Sequence, residues 1–192
     1  GAARFTAPDT IEVATPLGLQ HYRAERFILA VGTEPYRPAH IPFDGDLILD
    51  ADEILELKRL PRSLAVIGAS VIGVEYATIF SALDVKVTVI DPGDGMLPFI
   101  DRELVDEFVH DLRDRGVTLR FQSKPKRVSR QGGDACLVEL EDGRQIWSEM
   151  VLFAAGRKGA VDGLGLEMCG LSADERGRIR VDPVTFRTAA PH

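Results

Sequence analysis

Residues 64–91 read LAVIGASVIGVEYATIFSALDVKVTVID, and their types and spacing could do one kind of chemistry. Gly68 and Gly73 bracket a G-x-x-x-x-G turn between an apolar run and a helical pattern, and a second β-branched run ends in the carboxylate Asp91. The first glycine permits a tight strand-to-helix turn, and the last lets a helix pack closely on a sheet. The N–H groups at the helix start face an anion with the positive end of the dipole behind them. The glycine turn and the helix start behind it are therefore expected to face a pyrophosphate. A carboxylate about 20 residues further on accepts from ribose hydroxyls, and Asp91 stands 18 positions past Gly73. Ser70 departs from the pattern, because that position is usually a glycine. Its side chain limits the approach of backbone to phosphate, while its hydroxyl can donate to a phosphate oxygen. The bland alternative is a buried β-α-β crossover whose glycines answer only to turn sterics.

These residues need a strand-helix-strand unit to position them, and the surrounding pattern supplies more of an α/β domain. Arg4–Thr6 and Thr10–Thr15 have strand composition, and Arg23–Val31 reads as a strand stopped by the turn Gly32-Thr33-Glu34-Pro35. The proline-rich YRPAHIPFDG reads as a linker that leads to a short helix over 51–58, capped by Asp50. Beyond Asp91, Leu104, Val105, Phe108, Val109 and Leu112 share one face of a helix over 101–115 that Gly116 ends. Val117–Phe121 is a strand, and 126–130, 135–140 and 145–147 form an antiparallel meander inserted in the sheet, with the Asp142-Gly143 pair as a hairpin signal. Val151–Ala155 is an apolar strand ending in Gly156-Arg157, which by its carboxyl-end position faces the same crevice as the Gly68 loop. The expected fold class is α/β: a Rossmann-like parallel sheet with helices and the inserted meander, plus an edge of a second domain. The expected boundaries are 1–48 for the second domain's segment and linker, 49–182 for the nucleotide domain, and 183–192 for the return.

Composition excludes several classes of function. The chain has 192 residues, 45% hydrophobic and 28% charged, enough for a real core. Its 30 acidic against 23 basic residues leave a net charge of −7, with no Lys/Arg cluster for a nucleic acid and an acidic surface unsuited to anionic membranes. No 18-residue apolar run or signal-like N-terminus is present, so the expected compartment is the cytoplasm. Cys136 and Cys169 are too far apart in sequence for a redox pair, and each reads as a small hydrophobe. His21, His40, His110 and His192 are scattered without ligand spacing, and no metal is expected.

The order of motifs resembles one known family. A strand ending in A-x-G-T-x-P (Ala30–Pro35), a linker, G-A-S-x-I-G-x-E (Gly68–Glu75) and a strand ending in A-G-R (Ala155–Arg157) are similar to the flavin-dependent pyridine nucleotide-disulfide oxidoreductases over nearly the whole chain. Within that family, E-Y-A-x-I-F, L-P-F-I-D-R-E and G-R-K-G, with no proline after Gly156-Arg157, resemble the soluble pyridine nucleotide transhydrogenase branch. Dihydrolipoamide dehydrogenases usually have G-R-x-P there. The resemblance implies a parent that carries hydride between NADH and NADPH pools through FAD. The cofactor supplies that chemistry and the protein orients it. It also implies that Gly68, Ser70, Val71, Ile72 and Gly73 hold the pyrophosphate and Asp91 the adenosine ribose, that Glu75 lies near nicotinamide and flavin, that the Pro125 backbone touches adenine, and that Gly156 and Arg157 line the nicotinamide side. Gly32 and Thr33 would belong to the FAD site of the parent. NAD(H) and NADP(H) are then the partners, and the parent is a homo-oligomer through a domain outside these residues. Without the resemblance, Glu75 is more simply a solvated helix residue and Arg157 a surface ion-pair partner. Two other readings stay open: a dihydrolipoamide dehydrogenase-like disulfide reductase segment, and a stand-alone NAD-binding sensor.

Overall fold

Three short extended runs at the start of the chain pair as an antiparallel meander in the computed structural model, which describes residues 1–192. These are β1 (Ala2–Ala7), β2 (Thr10–Thr15) and β3 (Gly18–Arg23), in that order. The strand expected over 23–31 does not form. β3 ends at Arg23, residues 24–32 run without a ladder, and β4 (Thr33–Pro35) follows Gly32. An apolar run becomes a strand only where a partner edge satisfies its backbone. Here Ala24 and Phe27 make isolated bonds instead, to the Asp9 and His192 carbonyls.

Residues 35–156 form one compact unit around a parallel sheet. Its elements run β5 (Ile48–Asp50), a 3-10 helix (Glu53–Glu56), β6 (Ser63–Ile67), α1 (Val71–Ala82), β7 (Lys86–Ile90), α2 (Arg102–Asp114), β8 (Thr118–Arg120), β9 (Pro125–Gln131), β10 (Ala135–Leu140), β11 (Gln145–Ser148) and β12 (Met150–Phe153). The sheet order is β5-β12-β6-β7-β8, all parallel. Helices and meander cover such a sheet on both faces, which is why its strands are continuous apolar runs: Leu64, Ala65, Val66, Val89, Ile90, Val151 and Leu152 have no measurable exposure. α2 begins as expected, with the Asp101 carboxylate accepting the Glu103 N–H at 2.9 Å.

Four details differ from the expectation. Between the linker and the expected helix lies an unexpected strand, β5, whose Ile48 and Leu49 are 1% exposed because they pair with β12 and enter the core. The helix after it is a single 3-10 turn, although Asp50 does accept the N–H groups of Asp52 and Glu53, both at 2.9 Å. The antiparallel meander forms its own sheet, β11-β10-β9, and is not threaded into the parallel one. Residues 157–182, expected in the nucleotide domain, belong with 1–34 and 183–192 in the second compact unit. There β13 (Arg157–Gly159) pairs with β4, and the Phe5 N–H donates to the Leu164 carbonyl at 2.7 Å.

Candidate functional site

The loop from β6 to α1 is built by close backbone approach. Gly68 has φ 112°, and a Cβ there would lie 2.7 Å from the Ala154 carbonyl oxygen and 3.0 Å from the Ala155 Cα. The loop therefore lies against the carboxyl end of β12, the position where open α/β sheets bind ligands. A Cβ on Gly73 would run into the Gly68 carbonyl oxygen and come within 3.0 Å of its carbon, so α1 rests directly on the turn. Both glycines of the motif answer to contact with backbone.

At the start of α1, Ser70 is the N-cap but makes no side-chain capping hydrogen bond. Its hydroxyl donates to the Ala154 carbonyl at 3.2 Å, tying the loop to β12, so its proton is directed away from the helix mouth. The first-turn N–H groups of Val71, Ile72 and Gly73 are left to an outside acceptor. That uncapped, glycine-lined helix start fits a pyrophosphate, which would meet N–H donors and the dipole together.

Asp91 closes the other side of the loop. One carboxylate oxygen accepts the Ala69 N–H at 2.6 Å and the other accepts the Gly93 N–H at 2.7 Å. Each oxygen keeps a second lone pair, so the group can hold the loop and still accept from vicinal hydroxyls. Sequence reasoning did not find this bracing role, because nothing in the spacing says that a carboxylate 22 residues away returns to the loop's own amides.

The remaining candidates are distributed as follows. Glu75 is exposed on α1, and Pro125 begins β9 opposite Leu140. Gly156 has φ 115°, and its carbonyl accepts the Tyr36 N–H at 3.1 Å. Arg157, Gly32 and Thr33 fall in the second unit. There the Arg157 guanidinium grips Thr33, donating to its hydroxyl and to its carbonyl at 2.8 Å each, and the Gly32 carbonyl accepts from the Ala160 N–H at 3.1 Å. A cavity of about 700 Å³ in that unit, lined by Phe5, Val161, Leu166 and Met168 among others, contains none of the candidates.

Neither cysteine is poised for redox work. Cys136 is fully buried, and burial pushes its thiol up to about 11; Cys169 is half-buried and also raised, chiefly by burial. A nucleophilic cysteine needs the opposite shift.

Fold and loop together define an α/β unit with a glycine-lined, uncapped helix start at the carboxyl edge of a parallel sheet. The chain belongs to the pyridine nucleotide-disulphide oxidoreductase family, whose profile matches residues 2–192. Among curated proteins it is similar to the soluble pyridine nucleotide transhydrogenase of Mycobacterium tuberculosis (strain ATCC 25177 / H37Ra), at 42% identity over all of this chain and 41% of that protein. It is also similar to the soluble pyridine nucleotide transhydrogenase of Pseudomonas aeruginosa (strain LESB58), at 40% identity over 98% of this chain and 40% of that one. Among solved structures, LpdA from Mycobacterium tuberculosis superposes with TM-score 0.88 at 28% identity, covering 98% of this chain and 42% of that one. The HOCl-induced flavoprotein disulfide reductase RclA from Escherichia coli superposes with TM-score 0.85 at 30% identity, covering 99% of this chain and 42% of its own. The chain thus spans about two fifths of the length of the relatives it matches. No helix is long and apolar enough to cross a membrane.

Proposed function

We propose that this chain is the nicotinamide nucleotide-binding segment of a flavoprotein oxidoreductase whose whole form carries hydride between NADH and NADPH pools by way of FAD. The observation that carries the reading is the Gly68–Gly73 loop, bound at both ends by backbone contact and opening an uncapped helix toward the carboxyl edge of a parallel sheet. The names of the 40–42% identical relatives support the transhydrogenase over a disulfide reductase. The name of the RclA structure favours a disulfide reductase as the second reading. A redox C-x-x-x-x-C pair elsewhere in the whole protein would decide for the latter.

In this reading the first-turn N–H groups of α1 hold the pyrophosphate, and Asp91 accepts from the adenosine ribose. Residues 154–156, with Gly156 steadied by the Tyr36 N–H, floor the path toward the nicotinamide. Glu75 and Pro125 belong to the nicotinamide and adenine ends. Gly156 and Arg157 are assigned to the nicotinamide side, and Gly32 and Thr33 to the FAD site of the whole protein. The flavin, when bound, supplies the hydride acceptor. This chain's part is to fix the dinucleotide by its phosphates and ribose so that the nicotinamide end is presented in one orientation. The protein is proposed to work in the cytoplasm, without nucleic acid or membrane partners, and as a homo-oligomer in its whole form.

Titration of the 192-residue chain with NADH tests the reading. Saturable binding, tighter than for NADPH, is expected, because a 2′-phosphate meets like charge at Asp91. No binding at millimolar NADH would refute it. The same preparation is expected to be colourless and to show no hydride transfer from NADPH to a thio-NAD acceptor, because part of a flavin site recovers little binding energy against the ligand's lost freedom. Stoichiometric flavin absorbance would overturn that part.

A further inference from the structure

We infer that Arg120 is a specificity-determining residue that lets the adenosine end accept a 2′-phosphate, so that one site takes both NADH and NADPH. The inference rests on the nucleotide reading above and concerns the rung of the sheet next to Asp91. β7 and β8 run parallel with Ile90 opposite Arg120, and the Asp91 N–H donates to the Arg120 carbonyl at 2.9 Å. The chain then turns back on the same edge, through Gln122 at φ 51°. The Gln122 N–H donates to the Gly93 carbonyl at 2.7 Å, and the Ser123 N–H donates to the Asp91 carbonyl at 2.9 Å. Three backbone bonds therefore hold residues 120–123 against residues 91–93, and adjacent strands are only about 4.8 Å apart.

The Arg120 side chain is exposed and makes no hydrogen bond or ion pair within the protein. Its neighbours are occupied. Lys124 pairs with Glu141 at 2.7 Å, and Arg144 holds Asp142 at 2.6 Å while donating to the Ser123 hydroxyl at 3.0 Å. The following loop, PGDGML, contains no cation at all. Arg120 is thus a guanidinium without a protein partner on the strand that pairs with β7 at Asp91. A guanidinium fits phosphate geometry with two parallel donors, and its long stem reaches past the end of a strand. The bias that Asp91 sets toward NAD(H) would be strong without this residue and modest with it.

Adenosine 5′-phosphate and adenosine 2′,5′-bisphosphate differ only in the group at issue, so calorimetric titration of both against wild type, Arg120→Ala and Arg120→Lys is the test. Arg120→Ala is expected to weaken the bisphosphate about five- to tenfold at low ionic strength, while changing the monophosphate by less than about twofold. Arg120→Lys should recover part of the loss, and added salt should shrink it. A loss equal for both ligands, or none for either, overturns the inference and leaves Arg120 as a solvated strand-end residue. If wild type binds neither the monophosphate nor NADH, the nucleotide reading itself fails, and the inference with it. An unchanged melting temperature for Arg120→Ala separates a lost contact from a lost fold.

Discussion

Gly73→Ala tests the architecture of the loop with a single methyl group. The new Cβ would run into the Gly68 carbonyl oxygen and lie 3.0 Å from its carbon and 3.4 Å from Val66 Cγ1. Two of these three neighbours are backbone atoms of a turn that is itself pinned. The Gly68 N–H donates to the Ile90 carbonyl at 2.9 Å, and the Gly68 Cα faces the Ala154 carbonyl. No rotamer relieves the overlap, so α1 must lift or the loop must move. Overpacking of a filled site costs about 1–3 kcal/mol, and a backbone obstacle argues for the upper end. Alanine returns about 1 kcal/mol of helix propensity over glycine. The net loss is about 2 kcal/mol. For a chain of this length each kcal/mol lowers the melting temperature by about 2–4 °C, so a fall of about 4–8 °C is expected in a thermal melt. The same movement turns the helix amides off the pyrophosphate, and NADH affinity should fall at least about tenfold, since misplacement of about 1 Å is costly at such sites. Gly132→Ala is the control, because its added Cβ meets nothing within 4 Å. Wild-type melting and wild-type NADH binding in Gly73→Ala would refute the claim that α1 rests on the turn.

Three further outcomes follow from the same geometry. Ser70→Ala removes the hydroxyl that donates to the Ala154 carbonyl, and should cost about 1 kcal/mol of stability with NADH affinity nearly unchanged. A large loss of affinity at constant melting temperature would instead mean that the hydroxyl turns to the phosphate when nucleotide binds. Asp91→Asn replaces an acceptor with an amide that cannot satisfy both the Ala69 and Gly93 N–H groups and the ribose. NADH affinity should fall by about 1.5–3 kcal/mol and the NADH-to-NADPH preference should narrow, so an unchanged preference in parallel titrations would remove Asp91 from the ribose site. Glu149 is buried immediately before β12. The Arg62 N–H at 2.7 Å, and then the Arg59 and Arg62 guanidiniums, hold its carboxyl below the ordinary value of 4.5. Because the unfolded chain takes up this proton first as the pH falls, the stabilisation is complete above about pH 4.5 and is lost on passing down through the folded value. Glu149→Gln should therefore melt about 2–6 °C below wild type at neutral pH and close that gap in acid, and a gap independent of pH would show that the charge is not what anchors the strand.

Much of the parallel core could be read from the chain because its signals are local. β6, α1, β7 and α2 are continuous apolar or periodic runs, and their ends are marked by Gly68, Asp101 and Gly116, residues chosen by backbone geometry or capping chemistry. The glycine turn and its distant carboxylate were legible for the same reason, since residue type and spacing along one β-α-β unit are set by its length. What required the folded chain was every feature that depends on which edge meets which. β5 is a strand only because β12 offers it a parallel partner, and the apolar run after Arg23 is not a strand because no neighbouring edge pairs with it. The hydroxyl of Ser70 could have faced an anion or a carbonyl, and the approach of β12 to the loop decided for the carbonyl. Asp91 reaches back to Ala69, and Arg120 stands one rung away, through parallel pairing of strands separated by a whole helix. Hydrophobic period and turn chemistry act over a few residues and are written in order, whereas hydrogen-bond partners across a sheet are settled by closure of the core.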